Sequence, residues 1–92
     1  MKFEWDENKD KENYRKHGIR FEQVIPAFYD DHALYYEDDT AAYGEQRMIL
    51  LGASQDRVLL IVYVEIEGDS IRLISARKAE SPEIRTYRRG HR

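Results

Sequence analysis

The chain of 92 residues has no cysteine, two prolines and five glycines. Without cysteine it can build neither a disulfide framework nor a thiolate metal site. So little proline and glycine suits a compact fold rather than disorder. No apolar run reaches the ~18 residues that a bilayer span needs. The opening MKFEWDENKDKE lacks the apolar core of a signal peptide. A cytoplasmic protein with no membrane partner is expected. The three histidines, His17, His32 and His91, lie far apart, with no His-Glu-x-x-His pattern beside them. Gly-rich phosphate loops and Gly-x-Ser-x-Gly elbows are also missing. Neither a metal nor a cofactor is expected.

What the chain does have is charge. Charged residues make up 36% and hydrophobic ones 41%, a balance that suits one compact soluble domain over residues 1–92. The formal net charge of −3 hides an asymmetry. Residues 1–70 carry eight Lys and Arg against sixteen Asp and Glu, a balance of −8. Residues 71–92 carry seven against two, a balance of +5. A basic end on an acidic chain points to a local polyanion site rather than broad wrapping of nucleic acid, with a solvated basic tail as the plainer alternative.

Lys2–Trp5 alternates as a short strand should. Asp6 can cap a helix running to about His17, with Glu7 in its first turn, Arg15, Lys16 and His17 in its last, and Gly18 after it. Phe21, Val24, Ile25 and Phe28 follow at the spacing of one buried helical stripe, which Pro26 shortens or bends. HALYYEDD, QRMILLGAS, Val58–Glu67 and Ser70–Arg77 read as strands, with turns at Gln55–Asp56 and at Glu67–Asp69. Ser81 and Pro82 then start a helix that ends at Gly90. The order β-α-α-β-β-β-β-α makes an α+β domain: a small antiparallel sheet of four to five strands, two N-terminal helices on one face and a C-terminal helix. The face carrying Tyr63 and Glu65 is expected to stay open for a partner.

The residues left to carry chemistry are Arg, Lys, Glu, Tyr and one well-placed His, the set of a metal-free phosphoryl-transfer site. RNA can be cut without a metal because its 2′-hydroxyl is the nucleophile. A base takes that proton, cations stabilise charge on the phosphorus oxygens, and an acid protonates the departing 5′-oxygen. His17 can move a proton, or can simply close its helix. Arg47 and Arg72 interrupt apolar strands; they either face a phosphate or pair across strands with Glu65. Arg77 and Lys78 lie beyond the last apolar residue of their strand, where a free side chain can reach a ligand at the sheet edge. Tyr63 and Tyr87 are core aromatics or stacking platforms for a base.

FEWDENK, NYRKHGIRFE, YGEQR, LLGAS and IRLISARKA, in this order and spacing, resemble the BrnT toxin family from Phe3 to about Tyr87. That family is similar in fold to the RelE-like ribonuclease toxins. The resemblance implies a growth-arresting endoribonuclease of a type II toxin–antitoxin system, acting on RNA and neutralised by a BrnA-type antitoxin. The antitoxin would also supply the operator-DNA contact. Lys16, His17, Glu45, Arg47, Arg72, Ser75 and Arg77 occupy the family's motif positions. On this reading Arg47, Arg72 and Arg77 clamp phosphate, and Glu45, Glu65 or His17 carries protons. Lys16, Tyr63, Ser75, Lys78, Arg88 and Arg89 bind RNA. The strand ending in Ser75, Arg77 and Lys78 would form, with the basic helix after it, the wall facing phosphate, and an acidic antitoxin segment would compete there. The alternatives are a non-catalytic co-repressor that shapes the antitoxin's DNA contact, and an oligomerising domain with an exposed strand edge.

Overall fold

The first helix forms where caps and charges agree. In the computed structural model, which describes residues 1–38 and 46–90, α1 spans Glu7–His17. The Asp6 carboxylate accepts from the backbone N–H of Asn8 and Lys9, and Gly18 closes the helix at φ 70°, where a side chain would be strained. Arg15, Lys16 and His17 place positive charge at the negative end of the dipole.

The next helix, Phe21–Tyr29, is 3₁₀ throughout, with Pro26 inside it. Three residues per turn bury Phe21, Val24 and Ala27 at every third position, together with Phe28. Ile25, expected in the stripe, is only half-buried. Asp10, itself buried, accepts from the Phe21 N–H at 2.7 Å and locks the two helices together.

Five strands follow the order β1-β5-β4-β3-β2, with β1 at Lys2–Glu4, β2 at Leu34–Glu37, β3 at Arg47–Ser54, β4 at Arg57–Ile66 and β5 at Ser70–Lys78. β2 to β5 form the expected antiparallel meander. β1 adds to β5 in parallel, so the sheet is mixed. Gln55 and Asp56 take the positive φ values of a two-residue hairpin turn. α2, Ser81–Arg89, begins one residue earlier than its sequence signal, with Glu80 as its cap and Pro82 in its first turn.

One face of the sheet packs on the 3₁₀ helix through Leu50, Leu59, Ile61, Tyr63, Ile71, Leu73 and Ala76. Each large side chain buried there stabilises the fold by about 1.5–3 kcal/mol. Gly52 brings β3 close to that helix: a Cβ there would stand 2.9 Å from the Ala27 carbonyl oxygen. The face assignment made from sequence is therefore reversed. Tyr63 belongs to the covered face, where its ring meets Phe28 edge-on with centroids 5.1 Å apart. The open face carries the half-buried Leu60, Val62, Val64 and Ile66. Glu65 misled because β4 outlasts the helix that covers it, so its polar end is exposed on the inner side.

Candidate RNA-binding face

Strand pairing decides which side chains can act together. Val62 opposes Ser75 while Tyr63 opposes Leu73, so Ile74 is an extra residue in β5, a β-bulge. That residue shifts the alternation of the strand by one. Arg72 projects from the open face before the bulge, opposite Val64. Ser75 and Arg77 project from the same face after it, opposite Val62 and Leu60. Without the bulge, Ser75 and Arg77 would follow Leu73 to the covered face. Arg47 joins them, because it also opposes Val64, from the β3 side. Arg47 and Arg72 thus flank one strand, their backbones ~10 Å apart at two strand spacings.

α1 runs along the β5 edge beyond the short β1. Its buried Asn13 takes the place of a strand partner there. The side-chain amide donates to the Ala76 carbonyl at 2.9 Å and accepts from the Ala76 N–H at 3.0 Å, and it also donates to the Ile19 carbonyl. This contact fixes the strand directly after the bulge. Beside it lies a cavity of about 220 Å³ lined by Lys9, Glu12, Lys16, His17, Ile74 and Ser75. A second cavity, of about 380 Å³, is lined by Glu4, Trp5, Asp6, Lys9 and Arg72. Lys9 borders both.

The ion pairs here differ in strength. Arg72 meets Glu4 at 3.3 Å, with both side chains about half exposed. Lys16 meets Glu12 at 3.6 Å, and Arg15 also pairs with Glu12 and holds its carboxyl below the ordinary range. Pairs this exposed are screened by solvent and are easily exchanged. Arg77 is held more firmly. Its guanidinium forks onto Glu83 at 2.9 and 2.8 Å and lies 3.6 Å from Glu80. Glu83 raises the Arg77 pKa, and Arg77 lowers that of Glu83. In place of a free side chain at the sheet edge, Arg77 ties β5 to α2.

The expected site residues therefore separate. Arg47, Arg72, Ser75 and Arg77 share the open face, and Lys16 and His17 border it from α1. Glu65 opposes Ile71 and points from the other face, away from the arginines. Tyr63 is 2% exposed, which leaves it no ring face for a base, and burial pushes its phenol up to about 12. Lys78 opposes Leu59 on the covered-face side, with its own side chain exposed. Arg88 and Arg89 are exposed in the last turn of α2. Glu45 lies outside the described residues. Lys9 went unnoticed in the sequence, although its seven-residue spacing from Lys16 marks two turns of one helix face.

Chemically, this face offers guanidinium and ammonium groups for phosphate oxygens, a hydroxyl donor at Ser75, and an imidazole at His17. Among the described residues no three His, Asp or Glu side chains are grouped to hold a metal ion, and no helix is long and apolar enough to cross a membrane.

A family model described as the ribonuclease toxin BrnT of type II toxin–antitoxin systems matches residues 5–83. The fold is similar to the crystal structure of the Brucella abortus ribonuclease toxin BrnT. The TM-score is 0.68 and the identity 24%, over 88% of this chain and 99% of that one. No curated protein matches by sequence.

Proposed function

Because the chain belongs to the BrnT family of ribonuclease toxins of type II toxin–antitoxin systems, we propose that it is an endoribonuclease that cuts RNA in the cytoplasm through the RNA's own 2′-hydroxyl. No metal ion takes part. Arg47 and Arg72 hold the phosphate oxygens that gain charge, with Lys16 and Ser75 as further donors. His17 takes the 2′-hydroxyl proton, since Glu65 points away from the arginines, and water protonates the departing 5′-oxygen. Arg77 keeps α2 in place at the end of the same face. A BrnA-type antitoxin silences the enzyme by covering this face, and operator DNA is met only through the antitoxin.

The observation that carries the reading is the shared face of Arg47, Arg72 and Ser75 beside the cavity of Lys16 and His17. Expression of the chain without antitoxin should arrest growth, and the purified chain should cut RNA in the presence of a chelator. Arg72→Ala removes a stabiliser of developing charge and should slow cleavage by about 10²–10³-fold. His17→Ala should slow it by about 10²–10⁴-fold. Folded variants that cut at the wild-type rate would refute these roles. A folded wild-type chain that leaves RNA intact would favour the co-repressor function instead.

A further inference from the structure

We infer that the cavity between β1, α1 and β5 seats the nucleotide next to the cleaved phosphate. In it, Lys9 holds the connecting phosphate and Asp6 reads the edge of an amino-bearing base. The inference rests on the ribonuclease reading above and assigns a subsite to residues outside the expected set.

Three observations support it. First, Lys9 borders both the cavity of Lys16, His17 and Ser75 and the cavity of Trp5, Asp6 and Arg72. A strand of RNA running from one to the other passes it. Second, Lys9 has no ion-pair partner among the described residues, whereas Lys16, Arg72 and Arg77 each have a carboxylate within 3.6 Å. A phosphate therefore meets Lys9 without displacing an acid. Third, the larger cavity is amphoteric. Lys9 and Arg72 are donors, while Glu4 and Asp6 are acceptors. Two carboxylates repel a second phosphate, but a base edge presents donors and acceptors side by side.

Asp6 is the selective group. One of its oxygens, Oδ1, caps α1 by accepting from the Asn8 and Lys9 N–H groups, which leaves Oδ2 for a ligand. An acceptor there favours the exocyclic amine of adenine, cytosine or guanine over uracil, whose two exocyclic groups are both carbonyl oxygens. At about 380 Å³ the space is ample for one base, and the Trp5 indole on its wall supplies apolar surface.

Two measurements test this with the full chain. Affinity for a 2′-O-methyl RNA of mixed sequence, which cannot be cut by its own 2′-oxygen, is followed against salt. Each phosphate contact to a single strand contributes ~0.7 to the slope of log affinity against log salt. Lys9→Ala should lower that slope by ~0.7 and Lys9→Arg should restore it. Lys11→Ala, on the same helix but outside both cavities, should leave it unchanged. Cut sites on natural RNA are then mapped for Asp6→Asn. Asparagine caps a helix as well as aspartate does, but it replaces the free acceptor with an amide N–H donor. Cuts beside uracil should become about tenfold more frequent relative to those beside amino-bearing bases. An unchanged slope in Lys9→Ala, or an unchanged cut pattern in Asp6→Asn, overturns the subsite while wild-type cleavage stands. A wild-type chain that neither binds nor cuts RNA defeats the ribonuclease reading, and the subsite with it.

Discussion

Replacing Arg77 should cost stability before it costs chemistry, because its guanidinium is committed to Glu83. The two side chains retain 33% and 26% of their exposure, so solvent screens the pair in part. Exposed pairs are worth about 0.2–1 kcal/mol, and hydrogen bonds to charged groups about 1.5–3 kcal/mol. A two-point fork at 2.9 and 2.8 Å with this exposure falls between them, at about 1–2 kcal/mol. Glu83 Oε1 also accepts from the Glu80 N–H at 2.8 Å, so the carboxylate caps α2 while it binds Arg77. For a domain of this size, 1–2 kcal/mol corresponds to a fall in Tm of roughly 4–16 °C.

A double-mutant cycle of Arg77→Ala and Glu83→Gln, followed by urea unfolding, isolates the pairwise energy. The coupling should be about 1–2 kcal/mol. The sign with pH is fixed as well. Arg77 lowers the Glu83 pKa below its ordinary 4.5. The contribution is therefore fully present above that value and is lost as pH falls through the lower, folded-state value. Coupling below about 0.5 kcal/mol, or coupling that persists in strong acid, would refute the assignment of Arg77 as a tie. Growth arrest by a folded Arg77→Ala variant would then be informative about α2 rather than about phosphate.

Asn13→Ala should destabilise by about 2–4 kcal/mol, because it leaves the buried Ala76 N–H and two carbonyls without partners; native-state hydrogen exchange at Ala76 would report the same loss locally. Asp30 anchors α2 differently. Burial opposes its charge, but the Tyr87 hydroxyl and the N–H groups of Ala53 and His32 outweigh that and lower its pKa. Burial and this carboxylate push Tyr87 up to about 12. Stability from the Tyr87–Asp30 contact should therefore hold below pH 10 and fall as pH rises toward 12, and Tyr87→Phe should reduce the alkaline loss in a pH-dependent melt, leaving the share that Tyr63 contributes.

The elements were legible because local signals agreed. Asp6 and Gly18 mark the ends of α1, Gln55–Asp56 marks a hairpin, and the apolar run of β4 marks the sheet centre. Faces were harder to read. β4 is apolar at both parities because both of its faces are partly covered, so Glu65 alone seemed to mark the outside. In β5 the alternation reads Ile71, Arg72, Leu73, and then a second apolar residue, Ile74, stands where a polar one belongs. That doubled step is the sequence signal of the bulge, and it moves Ser75 and Arg77 to the face of Arg72. The parallel pairing of β1 and the partner of Arg77 depend on contacts across 68 and 6 residues, which periodicity does not encode.

An acidic chain can still present a phosphate site if its cations are paired with weakly held acids. Arg72 with Glu4 and Lys16 with Glu12 are such pairs, both exposed to solvent that screens them. On the proposed reading, two oxygens of an RNA phosphate meet the fork of Arg72 together and displace a single carboxylate oxygen at 3.3 Å. On the same reading, a released Glu4 would line the cavity beside Asp6 as a second acceptor for a base. Arg77 does not exchange in this way, because its acid is bound at two points and is itself part of a helix cap. The same face thus holds two kinds of arginine, one exchangeable and one structural. Their difference lies in the geometry of the partner carboxylate rather than in the arginine.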